Sequence, residues 1–209
     1  MGGDLILGME VLVALVATFT FYKYNHNNLR YFLGYVWAVV LLEVSGELWP
    51  RNFDSPNLIL YNVFIILEFP LLIFWYRSFL SSTRSKRITI WLIALFLGLS
   101  ILNSIFHQSI IREFQSYTFF LGALSLILTI FLYFNEVLHT EKILIIQRGL
   151  LFWVSVGFLF FYASVIPIMI MGNAMDHTGW IYSVFLLILN IILHTSFLIG
   201  LLWGKKKFN

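Results

Sequence analysis

The 209-residue chain is 60% hydrophobic and only 11% charged, carries a formal net charge of +3 and contains no cysteine. A soluble domain of this length has about a quarter charged residues to cover its surface, so a water-solvated globule is excluded. The missing thiols exclude a disulfide framework and thiolate chemistry. The positive excess stands beside long apolar blocks, which points to a membrane and not to nucleic acid.

Taken in chain order, the first block is "MGGDLILGMEVLVALVATFTFY". It lacks a positive n-region and carries Asp4 and Glu10, so it is predicted to be a retained first span and not a secretory signal. Ile6 stands where the myristoylation pattern wants Ser or Thr. Two further apolar blocks, 31–49 and 57–76, are interrupted only by glutamates. Four stretches free of Asp, Glu, Lys and Arg complete the chain: Ile88–Ile111, Phe114–Asn135, Gly149–Met175 and His177–Gly204. Each reaches the roughly 20 residues that cross a 30 Å hydrocarbon layer. No ten-residue alternating segments suggest a barrel. The expectation is an all-α integral membrane bundle in one domain, 1–209. Its seven transmembrane helices fall at about 5–22, 31–49, 57–76, 88–107, 115–135, 149–171 and 180–203.

Basic residues set the orientation. Lys23 and Arg30 follow span one, and Arg77, Arg84, Lys86 and Arg87 follow span three. Lys142 and Arg148 follow span five, and Lys205, Lys206 and Lys207 form the tail, leaving only Arg51 and Arg112 for the other side. This split predicts an outside N-terminus and a cytoplasmic C-terminus. Trp49, Trp75, Trp91, Trp153, Trp180 and Trp203 fall near span ends, as headgroup anchors do, while Trp37 sits deeper. No loop is long enough for a soluble domain.

The polar residues inside the spans are the candidate site. A charge in hydrocarbon costs roughly 3 kcal/mol on insertion scales. Glu10 lies in the outer part of span one, Glu43 and Glu47 share a face near the outer end of span two, and Glu68 lies near mid-membrane in span three. Glu136 ends span five and reads as solvated. Tyr61, Glu68 and Trp75 recur every seven residues along one face, and Pro70 frees the carbonyl of Ile66 beside Glu68. In span seven Ser183, Asn190 and His194 align, with Asn190 at nearly the depth of Glu68. Asn62 and Asn103 are further candidates for lining one outward-facing acidic cavity. The plain alternatives are hydrated acids at Glu10 and Glu47, a neutral hydrogen-bonded acid at Glu68, and an Asn190–His194 pair bonding across helices.

A shift of 121 positions pairs "NFDSPNLILYNVFII" with "NAMDHTGWIYSVFLL", matching Asn52 with Asn173, Tyr61 with Tyr182, Val63 with Val184 and Phe64 with Phe185. The pairing predicts a 3+1+3 parallel repeat with span four as connector; chance similarity of membrane residues is the competing account. Span seven has no lysine for a retinal Schiff base, the scattered histidines do not suggest a zinc site, and the HExxH, GxGD and GxSG motifs do not occur. No enzyme, metal or cofactor is therefore expected.

The strings "YNVFIILEFPLLIFWYRSFL" and "LLFWVSVGFLFFY" resemble a family of small uncharacterised bacterial inner-membrane proteins with seven predicted helices. The similarity runs the length of the chain. It implies architecture and a multi-pass location in the bacterial inner membrane, and it carries over no functional residue.

From the residues, the leading expectation is a non-enzymatic receptor or sensor. It would bind a small cation or protons at Glu68, Glu43, Asn190, Tyr61, His194, Glu47, Glu10 and Asn62. Its partners would be the lipid bilayer and a separate signalling protein. A proton- or cation-coupled transporter and a structural, partner-binding subunit are the alternatives.

Overall fold

The apolar blocks fold as α-helices in the computed structural model, which describes residues 2–52, 56–139, 146–171 and 180–208. In chain order these are α1 (Gly2–Phe19), α2 (Tyr31–Asn52), α3 (Leu58–Arg77), α4 (Thr83–Phe106), α5 (Ser116–Leu138), α6 (Leu150–Met171) and α7 (Trp180–Trp203). Short 3-10 turns occur at Phe21–Lys23, Asn28–Arg30, Ile146–Arg148 and Lys206–Phe208. No strand occurs among the described residues. Six segments, one in each of α2 to α7, are long and apolar enough to cross a membrane. At 18 residues α1 is the shortest helix and spans about 27 Å; it stands outside that set.

The bounds follow local chemistry as well as hydropathy. The expected fourth span began at residue 88, after the basic run, but α4 begins at Thr83. Ser82 is extended, and its hydroxyl accepts from the amides of Arg84 (3.2 Å) and Ser85 (3.5 Å). That N-cap satisfies amides the helix itself leaves open, so Arg84, Lys86 and Arg87 lie within the first helical turns. Both α2 and α3 continue through a proline, Pro50 and Pro70 respectively.

Two compact units are present: Met1–Val40 with Val137–Asn209, and Leu41–Glu136. The boundaries fall within α2 and near the end of α5, whereas the proposed repeat would set α1 to α3 apart from α5 to α7. Asn173 of that repeat lies outside the described residues, as does the side chain of Tyr182.

In the first unit α7 packs on both α6 and α1. Glycines let α6 and α7 approach closely. A Cβ on Gly200 would stand 2.9 Å from Cβ of Trp153, and one on Gly157 would stand 3.1 Å from Cβ of Ser196. Without a hydrophobic drive between helices in lipid, such small-residue contacts supply the packing. Phe197 anchors the aromatic core, its ring 5.3 Å from both Phe32 and Phe158.

In the second unit α3 packs on α4 and reaches α5 through aromatic rings. Phe69 lies edge-on to Phe96 (5.8 Å) and to Phe119 (5.6 Å). Its ring occupies the space a side chain at Gly122 would fill, since a Cβ there would come within 2.1 Å of it. The opposite flank of α3 shows Leu67, Leu71 and Phe74 exposed, an apolar stripe suited to acyl chains. Polar side chains such as Thr89, Ser100, Thr118 and Thr129 are instead buried. The hydroxyls of Ser100 and Thr129 donate to the carbonyls of Phe96 (2.7 Å) and Ser125 (2.8 Å), which lets them sit in an apolar interior.

Candidate functional site

Five of the expected site residues, Glu43, Glu47, Tyr61, Asn62 and Glu68, belong to the second unit, and Glu10, Asn190 and His194 to the first. They fall into separate local surroundings.

The first lies where the C-terminal half of α2 meets the start of α3. Tyr61 donates its hydroxyl proton to Oε2 of Glu43 at 3.0 Å. Three residues beyond Glu43, Gly46 is buried, and a Cβ there would lie 2.5 Å from the Tyr61 hydroxyl. The missing side chain is thus the seat that brings the phenol to the acid. One α3 turn earlier, Asn57 donates its Nδ2 proton to the carbonyl of Gly46 at 2.8 Å. Glu43 is half-buried, whereas Glu47 is exposed. The two acids expected to share one face therefore stand in different surroundings: Glu43 turns toward α3 and Glu47 is reached by solvent or headgroups. Glu68 is half-buried and lies on the same flank of α3 as Tyr61, about 10 Å further along the helix. It sits between the buried face of Phe69 and the exposed stripe of Leu67 and Leu71.

The second arrangement is a carboxamide network that closes the start of α3, the end of α4 and the start of α5. Asn62 is 0% exposed; its Nδ2 donates to the carbonyls of Ile110 and Glu113 (each 2.8 Å), and its Oδ1 accepts from the amide of Gln115 at 3.0 Å. Asn103 Nδ2 lies 2.7 Å from Oε1 of Gln115, 3.0 Å from Oε1 of Gln108 and 3.1 Å from the Thr118 hydroxyl. Gln115 in turn donates to the carbonyl of Gln108. Asn62 thus holds the 107–115 loop against α3 by three bonds to its backbone. Gln108, Gln115 and Thr118 were not singled out from the sequence. The available signal was "HQSIIREFQSYT", two glutamines in a short connection between two spans.

In the first unit, Glu10 is 6% exposed and shares its helix face with the buried Val13, Ala14 and Ala17. It therefore lies on the packed side of α1, where hydration at the interface was the plainer expectation. On α7, Asn190 Nδ2 donates to the carbonyl of Leu186 (2.9 Å), and His194 Nδ1 lies 2.7 Å from the carbonyl of Asn190. A carbonyl only accepts, so Nδ1 carries a proton. Both of these bonds run back along α7 itself.

Glu136, read as a solvated acid, is part-exposed and also bonded. Its carboxylate accepts from the backbone amides of Ser81 and Ser82, fastening the α3–α4 turn to the end of α5. Among the described residues no three His, Asp or Glu side chains gather as metal ligands.

No protein-family model, curated protein or solved structure matches the chain.

Proposed function

We propose that this chain is a non-enzymatic, multi-pass membrane protein of receptor or sensor type, answering a small cation or protons through acidic side chains held inside its helices. The observation that carries the reading is the pairing of half-buried Glu43 with Tyr61 inside the α2–α3 contact. Glu68 stands on the same flank of α3, and the sequence has no Lys or Arg from Tyr31 to Trp49 or from Leu58 to Tyr76. Acids on spans whose own sequence supplies no basic residue favour a proton or a cation as part of their charge balance. The Tyr61 hydroxyl fixes one carboxylate oxygen and leaves lone pairs on the other for that partner.

In this reading α1 is a seventh span, the N-terminus is outside and the C-terminus cytoplasmic, and the host membrane is the bacterial inner membrane. The lopsided placement of Lys and Arg supports the orientation. Because the chain has no cysteine, single cysteines at Gly3 and Lys206 can be introduced without background. Labelling of Gly3→Cys from outside intact cells, and of Lys206→Cys only after permeabilisation, is expected; both on one side would remove the seventh span.

The functional test is a thermal-shift series on purified protein with sodium, potassium, small organic ammonium ions and varied pH. Wild type is expected to gain stability with one of these, and Glu43→Gln to lose that gain. Identical responses of wild type, Glu43→Gln and Glu68→Gln in every condition would overturn the reading.

A further inference from the structure

One end of the first unit gathers basic residues from three separate parts of the chain. Lys23 leaves the first 3-10 turn and donates from Nζ to the carbonyls of Leu201 (3.2 Å) and Leu202 (3.0 Å), capping the negative end of α7. Immediately after α7, the amide of Lys205 donates to the carbonyl of Arg148 at 3.0 Å. Lys206 and Lys207 follow in a 3-10 turn. Lys205, Lys206, Lys207 and Arg148 are all exposed. Arg30 stands just before α2, which meets α7 through the Phe32–Phe197 contact. The segments 20–31, 146–153 and 198–208 that build this end contain no Asp or Glu.

Two features distinguish this cluster from a loose basic tail. The polypeptide carrying it is tied by the Lys205–Arg148 backbone hydrogen bond and by the Lys23 cap, so the charges are held near one another before any partner arrives. It also stands level with exposed aromatic side chains: Trp203 is 69% exposed, and Phe19, Tyr22 and Tyr31 are exposed as well. Aromatics of this kind settle at the headgroup layer of a bilayer. A bilayer that takes these aromatics at its headgroups would place the cations beside the lipid phosphates.

We propose that this end of the first unit is a binding site for anionic phospholipid headgroups, with Lys205, Lys206 and Lys207 as the phosphate-contacting residues and Trp203 as the neighbouring anchor. The inference does not depend on a ligand at Glu43, nor on which leaflet receives the C-terminus. A basic residue near an anionic surface contributes roughly fivefold in affinity.

The test uses the full chain purified in neutral detergent, titrated with mixed micelles of phosphatidylglycerol or of phosphatidylcholine, with inorganic phosphate as a third arm. Lipid retention is read by native mass spectrometry and stability by thermal unfolding. Wild type should retain phosphatidylglycerol in preference to phosphatidylcholine and melt higher with it. The triple variant Lys205→Gln/Lys206→Gln/Lys207→Gln should bind phosphatidylglycerol about 100-fold more weakly. Replacing the same three by Arg should restore binding, and Arg84→Gln/Arg87→Gln, in the other unit, should leave it intact. Equal retention of both lipids, an unchanged triple variant, or equal loss in the Arg84/Arg87 control would overturn the proposal. A full thermal shift from inorganic phosphate alone would also overturn it, since the site would then serve a free anion.

Discussion

The hydroxyl of Tyr61 donates to Oε2 of Glu43 at 3.0 Å, joining α3 to α2 across the seat that Gly46 leaves open. Interhelical hydrogen bonds of this kind in membrane proteins average about 0.6 kcal/mol in double-mutant cycles and reach about 1.7 at most. A cycle of Tyr61→Phe, Glu43→Ala and the double variant should give a coupling energy in that range by thermal or denaturant unfolding in detergent. Gly46→Ala should push the phenol off the acid and show the same loss, so its effect should shrink in the Tyr61→Phe background. Full additivity of Gly46→Ala with Tyr61→Phe would mean that the glycine does not seat the phenol.

Gly122 offers a harsher version of the same contact. The ring of Phe69 is fully buried, edge-on to Phe96 and Phe119, and cannot swing away as the tip of a tyrosine can. Gly122→Ala should therefore destabilise the second unit by about 1–3 kcal/mol through overpacking. Adding Phe69→Leu, which shortens the side chain facing the new methyl, should recover part of the loss. A melting temperature unchanged by Gly122→Ala would contradict this packing.

Asn62 and Asn190 are both intramembrane carboxamides, yet their removal should differ. Asn62→Leu leaves the carbonyls of Ile110 and Glu113 and the amide of Gln115 without the side chain that now bonds them. Losing those partners at a buried site costs about 1–3 kcal/mol. Asn190→Leu removes a bond to the carbonyl of Leu186 within its own helix and should cost less. Limited proteolysis between residues 107 and 115 should accelerate for Asn62→Leu alone. Equal resistance in both variants would show that the network does not hold the loop.

Tyr24, in the connection between α1 and α2, is 1% exposed and donates to the carbonyl of Ala17 at 2.6 Å. Burial pushes its phenol well above the ordinary 10.0. The folded state favours the neutral form, so this contribution is complete below the unfolded value and is lost as pH rises from there through the folded one. From about pH 10 upward wild type should lose more stability than Tyr24→Phe, which has no proton to release. The same loss in both, read from melting temperatures, would place the alkaline sensitivity elsewhere.

Helical class and the membrane as solvent were legible from the apolar blocks. Apolar blocks long enough to cross lipid must satisfy their own backbone, and in lipid a helix does this within one segment. Hydropathy missed the start of α4, because a serine hydroxyl sets a helix end where the charge pattern places a loop. The tertiary structure decided what each polar residue meets. Depth arguments put Glu43 and Glu47 on one face and favoured hydration of Glu47 and Glu10. Packing placed Glu43 on a tyrosine, left Glu47 exposed and buried Glu10 on the contact face of α1. It likewise turned Asn62 toward a loop fifty residues away and Glu136 toward the α3–α4 turn. Periodicity reports which side of a helix a residue occupies. The neighbour on that side is set by how the helices pack, and that information is not local to any one segment of the chain.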